Sequence, residues 1–87
     1  MNYVFTPQAW DDYQYWQEND RKKIKRINEL LKDISRNKFA GIGKPEPLKE
    51  NLNGYWSRRI DEQHRLVYRL TGAGDETCEI YQCKGHY

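Results

Sequence analysis

The chain has 87 residues, of which 37% are hydrophobic and 14% aromatic, and its net charge is +2. This length leaves room for one domain spanning residues 1–87, whose core must rely on a few large side chains, so we expect tight local packing or a partner subunit to assist folding. No hydrophobic run is long enough for a signal peptide or a membrane span, which predicts a cytoplasmic protein without membrane contact.

The charges are segregated along the chain. Residues 1–20 carry −4, residues 21–38 carry +6 and the remaining residues sum to zero, which together give +2. Such segregation creates a local field that attracts a polyanion without an extreme overall charge. A surface for RNA phosphates or for an acidic partner is one interpretation of the basic segment, and a simply solvated surface is the other.

The first 36 residues predict a strand followed by two helices. Asn2–Phe5 is aromatic and β-branched, and Thr6 and Pro7 then supply an N-cap residue and a proline for the first helical position. Asn19-Asp20 ends this helix and caps the second. The second helix has an apolar face with helical spacing, formed by Ile24, Ile27, Leu30, Leu31 and Ile34. Its opposite face is basic, with Lys22, Lys25, Arg26, Lys32 and Arg36.

Aromatic residues mark one face of the first helix. Trp10, Tyr13 and Trp16 recur at three-residue spacing, which places their rings on the same side. The favoured interpretation is that these rings belong to the core, and a platform for stacking nucleic-acid bases is the alternative.

The two cysteines predict neither a disulfide nor a metal site. Cys78 and Cys83 lie five residues apart in one predicted strand, so their Cα atoms should be separated by roughly 16 Å, beyond disulfide reach. The spacing also lacks a CxxC pattern or a nearby histidine for zinc. We therefore expect no metal and no cofactor.

The segment 37–53 predicts a stiff loop that carries a carboxylate. Its glycines and its two prolines disfavour both helix and strand. Because Pro45 and Pro47 bracket Glu46, both Lys44 and Glu46 are expected to have extended backbone. This arrangement orders a carboxylate at little entropic cost, although a surface glutamate in a rigid linker is the alternative.

A β-hairpin is predicted after Asn53-Gly54, where the hydrophobic period becomes two. A three-residue loop at Asp61–Gln63 places Arg59 opposite Arg65. One face of the hairpin then collects Trp56, Ile60, Leu66, Tyr68 and Leu70, with Arg58 and His64 as exceptions. A shift of one residue would move arginines onto this apolar face, so the first register is preferred.

Like charges directly opposite each other are destabilising, so the pairing of Arg59 with Arg65 requires a reason. An anion bound between the two guanidinium groups is the favoured one. Neutralisation of each arginine by a nearby acid, Asp61 or Glu62, is the alternative.

The end of the chain adds a last strand, predicted over residues 76–84, followed by Gly85, His86 and Tyr87. Metal hydrolysis, nucleophilic cysteine or serine catalysis and nucleotide binding each lack their usual residue patterns. A carboxylate, a histidine and several arginines remain. This set suits metal-free RNA cleavage, in which a base activates the ribose 2′-OH, guanidinium groups stabilise the phosphate and an acid protonates the leaving oxygen.

Several segments together resemble the YoeB toxins of the RelE/ParE superfamily. They are WDDYQYWQ, KKIKRINELLKDI, GKPEPLK, GYWSRRI, HRLVY and the terminal HY, and the resemblance covers essentially the whole chain. It implies an α+β fold of the RelE-like microbial RNase type, with two N-terminal helices packed on one face of a small, mostly antiparallel twisted sheet. It also implies a type II toxin that cleaves messenger RNA in the ribosomal A site without a metal.

The resemblance further implies roles for individual residues. Glu46 would be the general base, Arg65 the main phosphate stabiliser and His86 the general acid. Tyr87 would help to position the substrate. The RNA backbone would be held by Lys44, Lys49 and Arg59.

The partners implied are the ribosome, messenger RNA, a second copy of the chain and a YefM-type antitoxin, with operator DNA reached only through the antitoxin. A non-catalytic RNA- or protein-binding module is the alternative. A further alternative is a gyrase inhibitor like the ParE-type members of the superfamily.

Overall fold

The computed structural model describes residues 1–86. In chain order its elements are β1 (Asn2–Phe5), α1 (Pro7–Asn19), α2 (Arg21–Arg36), β2 (Glu46–Pro47), a 3-10 helix (Glu50–Leu52), β3 (Trp56–Arg59), β4 (Arg65–Thr71) and β5 (Thr77–Gln82). The strands form one sheet in the order β1-β5-β4-β3-β2. Only β1 and β5 are parallel, and the other three pairings are antiparallel. Both helices pack on one face, which confirms the predicted α+β architecture.

The helix boundaries follow the predicted capping residues. The Thr6 hydroxyl accepts a hydrogen bond from the Ala9 amide at 3.1 Å and so caps α1. Asp20 serves both helices, because its amide donates to the Trp16 carbonyl at 2.8 Å and its carboxylate accepts from the Lys22 amide at 3.1 Å. A single polar residue therefore ends one helix and begins the next.

The core lies between the two helices and the sheet. It is formed chiefly by Ala9, Trp16, Ile27, Leu30, Leu31, Ile34, Ile60, Leu66, Tyr68, Cys78, Ile80 and Cys83. The aromatic face of α1 is divided, since Trp16 is only 6% exposed whereas Trp10 is 47% exposed and stacks on Tyr13. The prediction of core rings is therefore right for Trp16, and for Tyr13 in part.

The hairpin register is the one that alternation predicts. Trp56 lies opposite Tyr68, and Arg59 lies opposite Arg65. The Ile60 amide donates to the His64 carbonyl at 3.0 Å, which closes the loop at the predicted position. The last strand is shorter than predicted, because it spans only Thr77–Gln82 and contains a bulge opposite the Val67/Tyr68 step of β4.

Arg58 is the larger of the two exceptions on the apolar face, and it is completely buried. Its Nη1 donates to the Asp33 carboxylate at 2.6 Å, and its Nε donates to the Tyr68 hydroxyl at 3.2 Å. Main-chain carbonyls accept its other hydrogen bonds, those of Asn37, Ala40 and Ile42. All five guanidinium donors are thus used, and the loop after α2 is wrapped around this side chain.

The ion pair with Arg58 predicts a pH dependence of stability. The Arg58 guanidinium, with the Ile42 amide, holds the pKa of Asp33 below its ordinary value, against the opposing effect of desolvation. A lowered pKa in the folded state stabilises the protein above the unfolded carboxyl's pKa, and this contribution is lost as the pH falls through the folded pKa. Denaturant titrations between about pH 5 and about pH 2 should therefore show a shallower loss of unfolding free energy for Asp33→Asn than for the wild type. Equal slopes would contradict the prediction.

Within residues 1–86, neither helix is long and apolar enough to cross a membrane.

Candidate active site

The face of the sheet that is turned away from the helices, here called the outer face, carries the two predicted site arginines. Arg59 is exposed, and the Arg65 guanidinium donates to the main-chain carbonyls of Asp61 at 2.7 Å and His64 at 3.2 Å. The Asp61 carboxylate instead pairs with Lys23 at 3.0 Å and accepts the amides of the turn. Asp61 therefore contacts Arg65 through its main chain, and its carboxylate is committed to Lys23.

Glu46 lies on the same face, at the edge of the sheet. It forms the two-residue strand β2 with Pro47 and lies opposite Ser57 of β3. The expectation that segment 37–53 contains no strand is wrong at this point, because a proline is compatible with an edge strand, where its missing N–H costs no ladder hydrogen bond. Pairing with β3 positions the carboxylate more firmly than a loop would.

The sheet geometry relates Glu46 to the arginine pair. Ser57 lies opposite both Glu46 and Val67. Arg59 lies two residues after Ser57 and Arg65 two residues before Val67, so the arginine pair is displaced toward one end of the antiparallel strands. With strands about 4.8 Å apart and about 3.4 Å per residue, the Cα atoms of Glu46 and Arg65 are separated by roughly 12 Å. This separation leaves room for a phosphodiester between the two side chains.

The two predicted RNA-binding lysines flank β2, and both are exposed. Lys44 has φ of 51°, so the expectation of extended backbone there is wrong. The chain turns at this point because the Gly43 carbonyl accepts the Arg59 amide at 2.7 Å, and this contact outweighs the preference of a residue before proline. Gly43 itself has φ of 82°, a conformation that favours glycine, and a Cβ there would come within 2.8 Å of the end of the Leu30 side chain.

A shallow cleft of about 330 Å³ adjoins Glu46. It is lined by Glu46, Pro47, Leu48, Lys49, Glu50 and Leu52. The carboxylate and one lysine therefore border one concave surface.

The bulge in β5 brings the end of the chain to this site. Val67 pairs with Gln82 whereas Tyr68 pairs with Ile80, so β5 contains one extra residue there. The Arg65 amide then donates to the Gly85 carbonyl at 3.0 Å, and the Gln82 side chain donates to the His86 carbonyl at 3.4 Å. His86 is exposed beside the start of β4. Tyr87, the remaining predicted site residue, lies outside the described residues.

Three further residues hold the end of the chain, a role that was not predicted from the sequence. His64 Nδ1 accepts the Gly85 amide at 2.8 Å. Asp12 accepts the Cys83 amide at 3.1 Å, and Trp16 Nε1 donates to the Cys83 carbonyl at 2.8 Å. The only signal in the sequence was that His64 interrupts the apolar face of the hairpin.

The cysteines are free, as their spacing predicts, and both are buried. Burial raises the pKa of each thiol, Cys78 and Cys83, to about 12. Both therefore stay protonated at neutral pH, a state in which a thiol is a poor nucleophile and a poor metal ligand. Among residues 1–86, no three histidine, cysteine or carboxylate side chains converge as a metal site would require.

The groups available are a carboxylate and two arginines on the outer face of the sheet, with a terminal histidine beside the start of β4. A carboxylate can accept a proton, and arginines can bind phosphate oxygens in pairs. An exposed imidazole can deliver a proton to a leaving group.

The fold is that of solved YoeB-type toxins. The structure described as a YoeB/ParE toxin from Agrobacterium tumefaciens has a TM-score of 0.96 and 49% identity, with all of both chains covered. Two structures from Staphylococcus aureus, a YoeB dimer and a heterotetrameric YoeB-YefM toxin-antitoxin complex, each have a TM-score of 0.91 and 56% identity and cover 100% of this chain and 98% of that one.

The chain belongs to the YoeB-like toxins of bacterial type II toxin-antitoxin systems, whose family model matches residues 5–87. Toxin YoeB of Escherichia coli K12 is 54% identical over 87 residues, which cover the full length of both chains.

Proposed function

We propose that the chain is a ribosome-dependent messenger-RNA endoribonuclease that needs no metal and acts as a single domain. Its action in the ribosomal A site inhibits translation. The observation that supports the proposal is that strand pairing puts Glu46, Arg59 and Arg65 on the same face of the sheet, together with the attachment of the C-terminal segment to the Arg65 amide.

The reaction assigns one step to each group. Glu46 takes the proton from the ribose 2′-OH, and the 2′ oxygen attacks the adjacent phosphorus to form a 2′,3′-cyclic phosphate. Arg65 stabilises the charge on the phosphate oxygens. His86 gives a proton to the 5′ oxygen as its bond to phosphorus breaks. DNA lacks the 2′-OH and would not be cut.

The substrate is held by the remaining predicted residues. Tyr87 orients the nucleotide next to His86. The RNA backbone is bound by Lys44, Lys49 and Arg59, all of which are exposed around the carboxylate.

The partners in this proposal are inferred from the S. aureus relative. That protein is described as a dimer and in a heterotetrameric complex with YefM. We infer that this chain also forms a homodimer and is neutralised by a YefM-like antitoxin, which provides its only link to operator DNA. The site of action is the cytoplasm, where translating ribosomes are found.

Primer extension on a message translated in a reconstituted system tests the proposal. The full chain should produce cuts at the codon in the A site, whereas a chain ending at Gly85 should produce none. The shortened chain is expected to stay folded, because Gly85 keeps its hydrogen bonds to His64 and Arg65.

Cuts by the shortened chain would refute the role of the terminal residues. Binding of the full chain to ribosomes without any cut product would instead identify a non-catalytic binding module. Loss of gyrase activity in a DNA supercoiling assay would identify a ParE-type protein.

A further inference from the structure

His64 occupies an unusual position for a polar residue. It directly precedes Arg65 and follows the turn of the hairpin on the side of the sheet that faces the helices. Its ring meets the buried Trp16 edge to face, with centroids 4.8 Å apart and an angle of 75° between the planes. Packing against Trp16 therefore fixes the position of the imidazole ring.

The polar edge of this ring is directed at the end of the chain. His64 Nδ1 accepts the Gly85 amide at 2.8 Å, and the Arg65 amide donates to the Gly85 carbonyl at 3.0 Å. His64 and the first residue of β4, Arg65, thus hold both main-chain polar groups of Gly85. Gly85 has φ of 86°, a conformation that favours glycine, so these bonds hold a backbone geometry that few other residues adopt.

The segment before Gly85 is held as well. Asp12 and Trp16 bind the amide and the carbonyl of Cys83, at 3.1 Å and 2.8 Å. The His64 side chain accepts the Gly85 amide, the main-chain donor directly before the exposed His86, while the Gln82 side chain donates to the His86 carbonyl at 3.4 Å. Without the bond from the Gly85 amide, His86 would be held only by the contacts at Cys83 and by hydrogen bonds to two carbonyls, those of Gly85 and His86.

We propose that His64 is a positioning residue for cleavage, because its Nδ1 sets the place of the His86 imidazole through the Gly85 amide. The inference rests on the proposed function, in which His86 is the general acid. The hydrogen bond requires a lone pair on Nδ1, so His64 acts in the tautomer that carries its proton on Nε2.

Two substitutions distinguish the effect of the Nδ1 acceptor from the effect of the ring's packing against Trp16. His64→Phe keeps an aromatic ring against Trp16 but removes the acceptor. His64→Asn loses most of the ring but retains an oxygen near the position of Nδ1. If His64 acts through Gly85, the phenylalanine variant should lower the maximum rate of A-site cleavage by about 10- to 100-fold, while the KM for programmed ribosomes changes little. The asparagine variant should recover most of the rate.

A purely structural role would give the opposite order, since phenylalanine preserves the ring packing better than asparagine does. Cleavage by His64→Phe at the wild-type rate, or greater loss in His64→Asn, would overturn the positioning role. Amide hydrogen exchange of the wild-type chain adds a measurement that needs no variant. Slow exchange at Gly85 supports the contact, and exchange as fast as in an unstructured peptide overturns it.

These outcomes are separate from a failure of the proposed function. If the wild-type chain cleaves no message on programmed ribosomes, the nuclease proposal fails, whatever the exchange rate at Gly85. If the wild-type chain cleaves and the phenylalanine variant is equally fast, only the role of His64 fails.

Discussion

Glu46→Gln is expected to reduce the maximum rate of A-site cleavage by about 100- to 10,000-fold, which is the usual contribution of a general base. Glutamine has nearly the same shape but accepts no proton at neutral pH. Because Glu46 lies on an exposed edge strand, the substitution should leave the fold and ribosome binding intact. Single-turnover cleavage with ribosomes in excess measures the chemical step directly.

Glu62→Gln is the matched control, since it removes the same charge from an exposed residue of the hairpin turn. It should cleave at nearly the wild-type rate. Cleavage by Glu46→Gln at a rate similar to that of Glu62→Gln would show that another group takes the proton. A parallel loss in both variants would point to a general effect of net charge on ribosome binding.

Arg58→Met should destabilise the folded chain by about 3–5 kcal/mol, the usual effect of removing one partner from a buried ion pair. The substitution leaves the Asp33 carboxylate without its 2.6 Å partner. It also removes the donors for three carbonyls of the loop after α2. Urea denaturation monitored by tryptophan fluorescence measures the change in unfolding free energy.

Arg59→Met is the control for this stability measurement, because the neighbouring arginine is exposed on the opposite face of the same strand. Its effect on the unfolding free energy should stay within about 0.5 kcal/mol. Arg58→Lys should recover only part of the loss, since an ammonium cannot supply five donors in one plane. Equal stabilities of the two methionine variants would refute the assigned role of Arg58.

The hydrogen bonds of Arg58 also link the stability of the fold to the candidate active site. The loop that encloses Arg58 leads into Gly43, whose carbonyl binds the Arg59 amide, and then into Lys44 and Glu46. A chain with a looser loop should therefore lose cleavage as well as stability. Binding of an antitoxin or a substrate would stabilise the folded state and so mask part of the loss in unfolding free energy. The denaturation is therefore measured on the free chain.

Much of the fold could be predicted because its signals are local. Thr6 and Asp20 cap helices through groups within four residues of themselves, and Pro7 occupies the first helical position. The register of the hairpin followed from alternation, since a shift of one residue would turn arginines toward the core. The same reasoning placed Arg59 beside Arg65, and the site residues were named from the segments that resemble the family.

The errors arose where distant segments decide the backbone. Two prolines around Glu46 argued against a strand, yet β3 offers an edge with which Glu46 pairs. Lys44 was expected to be extended, and the contact between Gly43 and Arg59 gives it a positive φ instead. Local preferences of this kind are small, so one buried hydrogen bond from another strand can override them.

The sequence by itself thus determined the two helices, the hairpin register and the face on which the arginines lie, because period and capping depend on near neighbours. Only the tertiary structure decided what satisfies Arg58 and what holds the C-terminal segment. The partners of Arg58 lie 10 to 25 positions from it, and the side chains of His64, Trp16 and Asp12 lie 21 to 71 positions from the main-chain groups that they hold. Their pairing depends on how the helices lie on the sheet, and no local pattern encodes that distance.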